Sequence, residues 1–289
     1  MKIGVIPQRF QKSTMESLKI SHSIGAEAVQ LYSVTRQENL HDKTGIELRE
    51  ILDFCGDTGM EITGICGEVG GFGFRDPREN PRKLELTRRN LELAKKLGGK
   101  VVTSHIGVIN FNVRAVQLEA LGKIADYAAE FGVIFAIETG SDPSRTLAGL
   151  LDELNSPWIK VNIDPANLVM IQNENPVESV RTLGRYIVHT HAKDGKCLKS
   201  CDPEQIYAAF ARGDIKELFA QNGKAFIETP IGSGLDWSGY LRELYHLDPT
   251  LPLIIEREIS DTIVEDCKSA ILFLKQRRAD LQQNCSVCR

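Results

Sequence analysis

The runs Ile134-Phe135-Ala136-Ile137-Glu138, Val161-Asn162-Ile163-Asp164, Ile187-Val188-His189-Thr190-His191 and Leu253-Ile254-Ile255-Glu256 decide how this chain reads. Each is a short apolar stretch that closes on a carboxylate or an imidazole. Continuous apolar runs of this length mark strands buried on both faces, as in a parallel sheet covered by helices. Similar runs lie at residues 2 to 6, 28 to 31, 62 to 66 and 101 to 105, which together with 134 to 138, 161 to 164, 187 to 191 and 253 to 256 makes eight.

Helical stretches separate them. Leu118, Leu121, Ile124, Ala125, Ala128 and Phe131 share one stripe at helical spacing, and Gly132 is placed to stop that helix. Ser13 and Glu16 have capping-box spacing, with Gly25 at the expected end of the first helix. Eight strand-helix units predict an α/β fold, a (β/α)8 TIM barrel in a single domain. The barrel is expected over residues 1–280, with an insert at about 195–240 and a C-terminal tail at 281–289. An open doubly wound sheet is the competing architecture. The first strand speaks against it, because Pro7-Gln8-Arg9-Phe10 stands where a G-x-G-x-x-G turn would be needed. The longest interval, 192 to 252, is expected to hold a helix near Ile206 to Phe210 and an extended piece Ala225-Phe226-Ile227-Glu228. Long inserts at that end of a barrel shape substrate pockets.

Composition narrows the function classes. An apolar fraction of 42%, a charged fraction of 26% and a net charge of -4 describe a soluble globular chain and argue against nucleic acid as partner. No apolar run approaches the roughly 18 residues of a membrane span, and Met1-Lys2-Ile3-Gly4-Val5-Ile6 reads as the first strand rather than a secretory leader. Seven cysteines at scattered spacing fit free thiols in a reducing compartment, so a cytoplasmic location is expected. Cys285-Ser286-Val287-Cys288 reads as part of the tail, since a structural zinc site would need a second pair or nearby histidines.

In a closed parallel barrel the C-terminal strand ends ring one mouth, so Glu138, Asp164, His191 and Glu256 would meet there from strands five to eight. Three clustered carboxylates repel one another when desolvated, and a divalent cation is the simplest way to keep all three ionised. The oxygen-rich set favours Mn, Mg or Co, with Zn also able to bind.

Ile137-Glu138, Asn162-Ile163-Asp164-Pro165-Ala166-Asn167, His189-Thr190-His191-Ala192-Lys193-Asp194 and Ile255-Glu256-Arg257-Glu258 resemble signature segments of the xylose isomerase-like TIM-barrel superfamily. Within it the resemblance is strongest to the sugar phosphate isomerase/epimerase group, and it extends from the first strand to about Leu274. It implies that Glu138, Asp164, His191 and Glu256 bind one divalent ion, His191 being the ligand and His189 a buried, hydrogen-bonded neighbour. The implied reaction is isomerisation or epimerisation of a sugar or sugar phosphate through a metal-stabilised enediolate. Glu138 and Glu256 would be the acid–base pair, each giving one oxygen to the ion and keeping the other free. An inosose-type dehydratase and a non-catalytic sugar-binding barrel are the alternatives.

Substrate contacts are expected from four more residues. His105 closes the fourth strand, where family members often carry a substrate-binding or proton-relaying histidine; capping of the next helix is the competing role. Glu68 stands beside Gly70-Gly71-Phe72-Gly73, a glycine cluster that reads as a lid or as a plain flexible loop. Lys193, with Asp194 beside it, is expected to hydrogen-bond substrate hydroxyls or form an ion pair, and a Schiff-base role for the lysine is the sharper alternative. Asn167 occupies a position where epimerases and related endonucleases can carry histidine, and the six histidines are too few for a three-zinc DNA-repair site. Pro230-Ile231-Gly232-Ser233-Gly234-Leu235-Asp236-Trp237 resembles the family's P-x-G-x-G-x-x-W segment, and whether its amides face a phosphate stays open. The resemblance further implies a small-molecule sugar as partner, no membrane, and a homo-dimer or homo-tetramer.

Overall fold

In the computed structural model, which describes residues 1–287 and side chains as far as Gln283, every apolar run is a strand. The strands are β1 Ile3–Val5, β2 Ala28–Tyr32, β3 Glu61–Cys66, β4 Val101–Ser104, β5 Ile134–Glu138, β6 Ile159–Ile163, β7 Ile187–Ala192, β8 Asp194–Cys197, β9 Phe226–Thr229 and β10 Leu253–Ile255. Eight of them, β1 to β7 and β10, form a closed barrel, while β8 and β9 pair with each other alone. Barrel neighbours are parallel throughout, down to the closing pairs of β1 with β2 and β10. Helices wrap the outside and present apolar stripes to the strands, as with Leu121, Ile124 and Ala128 of the helix Arg114–Phe131. The capping box of Ser13 and Glu16 forms, and Gly25 and Gly132 take the left-handed conformation that ends their helices.

Close strand approach needs glycine at two points. A Cβ on Gly4 would stand 2.4 Å from the carbonyl oxygen of Ala28, and one on Gly64 2.5 Å from that of Val101. Both contacts are with backbone, so relief would require moving a strand. Gly64→Ala is therefore expected to cost about 3 kcal/mol by overpacking. Urea denaturation checks this, and a loss under about 1 kcal/mol would mean the β3–β4 spacing is soft.

The last helix, Ile263–Val287, runs past residue 280 and ties the barrel's end to its beginning. Arg278 donates to both oxygens of Glu27, at 2.6 and 2.9 Å, and Glu27 also accepts from the Ile3 amide at 3.0 Å. Burial pushes the Glu27 carboxyl up, but the hydrogen bonds from Arg278 and Ile3 outweigh it and hold the group at about 2 instead of 4.5. A carboxylate depressed in the folded state stabilises above its unfolded pKa, so this contribution is present above about pH 4.5 and lost as pH falls toward 2. Glu27→Gln should flatten the acid limb of stability across that window. Superimposable pH profiles for the two proteins would disprove the assignment.

Between β7 and β10 the chain leaves the barrel. The helices Pro203–Arg212 and Ile215–Asn222 are carried on the β8–β9 ribbon, covering the expected helix near Ile206 to Phe210 and the expected extended piece. Ile206, Ala225 and Phe226 pack on Met170 and Ile171 in a small core separate from the main one. Among the described residues no helix is long and apolar enough to cross a membrane. Cys55, Cys66, Cys197, Cys201 and Cys267 are free thiols, while the pair at 285 and 288 lies outside the described side chains.

Candidate metal centre

Parallel closure brings the ends of β5, β6, β7 and β10 to one mouth, and the four sequence-predicted ligands come with them. Glu138 is the last residue of β5, Asp164 follows β6, His191 lies on β7 and Glu256 follows β10. Their exposures are 3%, 0%, 0% and 5%, and one donor atom from each lies within 4.8 Å of the others. His191 Nδ1 stands 3.5 Å from Glu138 Oε1, 3.4 Å from Asp164 Oδ2 and 3.5 Å from Glu256 Oε2. Two donors held at about 2.1 Å by one ion stand about 3.0 to 3.4 Å apart at octahedral to tetrahedral angles, close to the three spacings from His191 Nδ1. Asp164 Oδ2 and His191 Nδ1 are both buried without a hydrogen-bond partner among the described residues. Orphaned buried polar atoms are costly, and a cation between these two would satisfy both. The residues present fit a divalent ion.

The surrounding bonds orient the donors. Asp164 Oδ1 caps the short turn Pro165–Asn167 through the Asn167 amide at 2.8 Å, which leaves Oδ2 aimed inward. His191 Nε2 lies 2.9 Å from Gln30 Oε1, so its N–H faces that carbonyl and Nδ1 is the nitrogen turned to the carboxylates, where it would serve as the ligand atom once a cation replaces its proton. Gln30 in turn donates to Thr103 Oγ1 at 2.7 Å. Deeper in the barrel, His189 is bonded to Asn162 Oδ1 at 2.9 Å and Thr63 Oγ1 at 3.0 Å, so both its nitrogens are occupied. Burial pushes the His191 imidazole down, yet Glu138 and Glu256 overrule it and hold it well above the usual range. Burial raises Asp164 against the pull of Lys193 and His191. Both directions express one fact: the cradle calls for positive charge.

A second ring of charges surrounds Glu256. Lys193 Nζ bridges Glu256 Oε2 at 2.9 Å and Glu258 Oε2 at 2.6 Å. Arg9 Nη2 bridges Glu256 Oε1 at 2.9 Å and Glu258 Oε1 at 2.6 Å. Burial pushes Lys193 down, but Glu256 and Glu258 keep it an ammonium, which is the ion-pair reading and not the free amine a Schiff base needs. Glu256 feels burial upward and Lys193, His191 and Arg9 downward, and it ends well below the carboxylate range. The expectation that Glu256 keeps one oxygen free is not met, since Arg9 takes Oε1 and Lys193 takes Oε2.

Glu138 has milder company. Asn167 Nδ2 donates to its Oε1 at 3.2 Å, and His105 Nε2 lies 3.9 Å from the same oxygen. His105 Nδ1 and its own amide both bond Glu68 Oε1, at 2.9 and 3.0 Å. Burial pushes the His105 ring down, while Glu68 and Glu138 carry it up to about 10, so at neutral pH both ring nitrogens are donors. Its Nε2 is buried beside Glu138 without a hydrogen-bond partner among the described residues. The next regular helix begins only at Arg114, so His105 is no cap.

The glycine turn after β9 faces inward. Asp194 Oδ2 accepts from the amides of Gly232, Ser233 and Gly234 at 2.8, 3.0 and 3.2 Å and from Trp237 Nε1 at 2.8 Å. These amides form an anion nest already filled by a carboxylate.

Arg9, Gln30 and Glu258 received no role from sequence, nor did Tyr32, whose hydroxyl accepts from Arg9 Nη2 and donates to Glu256 Oε1 at 3.4 Å. Arg9 reaches a partner 247 residues away, and nothing local in Pro7-Gln8-Arg9-Phe10 signals that. Gln30 had a usable signal, being a polar residue inside an otherwise apolar strand.

Residues 18–277 match a model of the family described as Xylose isomerase-like TIM barrel. No curated protein matches the chain. Among solved structures, a D-tagatose 3-epimerase-like protein superposes with a TM-score of 0.75 at 17% identity over 99% of this chain and 100% of that one. The probable 3-DHS dehydratase AsbF from Bacillus anthracis gives 0.74 at 18% identity over 95% and 99%. A xylose isomerase-like TIM barrel protein from Mycobacterium smegmatis, in complex with magnesium, gives 0.70 at 16% identity over 92% and 88%. At these identities the superpositions speak for the fold.

Proposed function

The chain belongs to the xylose isomerase-like TIM barrel family, and we propose that it is a divalent-metal-dependent isomerase or epimerase of unphosphorylated keto-sugars. The observation that carries the proposal is the four-donor cradle, in which His191 Nδ1 and Asp164 Oδ2 are buried and unpartnered among three carboxylates. Glu138, Asp164, His191 and Glu256 would hold the ion, with Mn, Mg or Co favoured by the oxygen-rich donors. When bound, the ion would supply positive charge beside the substrate's carbonyl oxygen and stabilise the enediolate left by loss of the neighbouring C–H proton.

The chain's own groups do the rest. Glu138 takes the proton from carbon while Asn167 holds its Oε1. His105, kept protonated by Glu68, donates toward a substrate oxygen beside Glu138. Glu256 is the second carboxylate, and in an epimerisation it delivers a proton of its own to the other face only once Arg9 or Lys193 releases one of its oxygens and that oxygen is protonated from solvent. Two features support a free sugar over its phosphate: the amides of 232–234 are engaged with Asp194, and Arg9 and Lys193 are each already paired with two carboxylates.

The pinning of Glu256 also supports a second reading. If only Glu138 serves as base, expulsion of a β-hydroxyl is the simpler outcome, and the enzyme is an inosose-type dehydratase. One structural relative is itself named a probable dehydratase. Incubation of Mn²⁺-loaded protein with a panel of ketoses and inososes in D₂O separates these readings by proton NMR. The isomerase gives a new sugar deuterated beside its carbonyl, whereas the dehydratase gives a dicarbonyl absorbance in the ultraviolet. Dialysed protein that takes up no divalent ion and exchanges no proton would leave a binding barrel. Ketose phosphates turned over better than free ketoses would sink the unphosphorylated assignment.

A further inference from the structure

The insert does more than decorate the rim. Its helix Pro203–Arg212 carries Tyr207, whose ring lies 5.5 Å from that of His105 at 52°. Gly140, two residues beyond Glu138, is bare at this point: a Cβ there would stand 2.9 Å from Tyr207 Oη and 2.5 Å from Asn167 Cβ. The phenol therefore reaches over backbone adjoining Glu138 and Asn167, and its hydroxyl makes no hydrogen bond to another described residue. A phenol ordinarily titrates at about 10, so the hydroxyl is protonated at neutral pH and able to donate.

One residue fastens this helix down. Glu204 accepts from Arg75 Nη1 and Nη2 at 2.6 and 2.7 Å and from Asn110 Nδ2 at 2.9 Å. Arg75 follows the glycine cluster after β3, and Asn110 follows β4, so two loops meet the insert's helix at a single carboxylate. Beneath them the insert rests on its own small core, and the helix Ile215–Asn222 buries no residue at all. A unit with few buried contacts is the first to open, and it covers donors that are at most 5% exposed.

We infer that the helix pair 203–222, carried on the anchored β8–β9 ribbon, is a lid that presents Tyr207 to the substrate as a hydrogen-bond donor, latched shut by Glu204 on Arg75 and Asn110. The identity of the substrate rests on the keto-sugar reading above; the latch does not. Tyr207→Phe removes one oxygen and keeps the ring on His105. It is expected to lower kcat/KM for the best ketose about 10- to 100-fold while Mn²⁺ affinity and Tm stay at wild-type values. Glu204→Gln and Arg75→Gln should speed amide exchange across 203–222, raise KM, and let a chelator strip Mn²⁺ about fivefold faster or more. A Tyr207→Phe protein within twofold of an active wild type overturns the donor role. Latch variants that exchange and lose Mn²⁺ at wild-type rates overturn the lid. Wild-type protein inactive on every ketose overturns the keto-sugar reading and the donor role with it, while the exchange and chelator measurements still decide the lid.

Discussion

Glu138→Gln will lower ketose turnover by the metal-loaded protein by about a thousandfold, within the range a positioned acid–base group contributes. The substitution keeps the volume of a side chain that is 3% exposed and keeps an oxygen for Asn167, so the barrel should fold as before. What it removes is the charge that accepts the proton. Because Glu138 Oε1 also lies 3.5 Å from His191 Nδ1, the variant will bind metal more weakly, and turnover must be compared at saturating Mn²⁺. Proton exchange from substrate into D₂O is the direct readout, since it reports the step Glu138 performs. Retention of more than a tenth of wild-type exchange at full metal occupancy would remove Glu138 from that role and the proposed reaction with it.

Asp194→Ala is expected to cost about 4 kcal/mol, the largest stability effect of any single side chain discussed, because charge-assisted bonds contribute about 1.5–3 kcal/mol each and several donors lose one acceptor. Asp194 is buried, and its Oδ2 gathers three backbone amides of the glycine turn and the indole of Trp237. Without it those donors face one another around an empty centre, and the turn must open to water. Urea denaturation measures the loss, and a red-shifted Trp237 emission locates it. Asp194→Asn should recover part of the stability through its remaining acceptor. A loss below about 1 kcal/mol for the alanine variant would show that the turn is held by other contacts.

Most of the barrel was legible because its strands are local objects. Eight apolar runs became eight barrel strands, and their alternation with helices left few ways to close the sheet. The convergence of Glu138, Asp164, His191 and Glu256 followed from that topology, since residues at the ends of parallel neighbouring strands cannot avoid one another. Glu68 and His105 were also placed by strand ends, and they form a pair. Lys193 and Asp194 were singled out from the same segment, but their neighbours were not: one faces Glu256 and Glu258, the other turns away to hold a loop. Lys193 stands in the break between β7 and β8 and Asp194 opens β8, and where each side chain turns at such a junction is set by the finished barrel and not by their own short segment.

The pattern of apolar runs determined the architecture and the metal-capable mouth, because strand burial and strand direction are dictated by residues close in sequence. Tertiary structure alone decided that Arg9 pins Glu256, that Asp194 fills the glycine turn, and that Tyr207 reaches the mouth under a latch made by Glu204. Those contacts join loops whose paths are free of any repeating period, so which partner a side chain finds depends on where the finished barrel carries it.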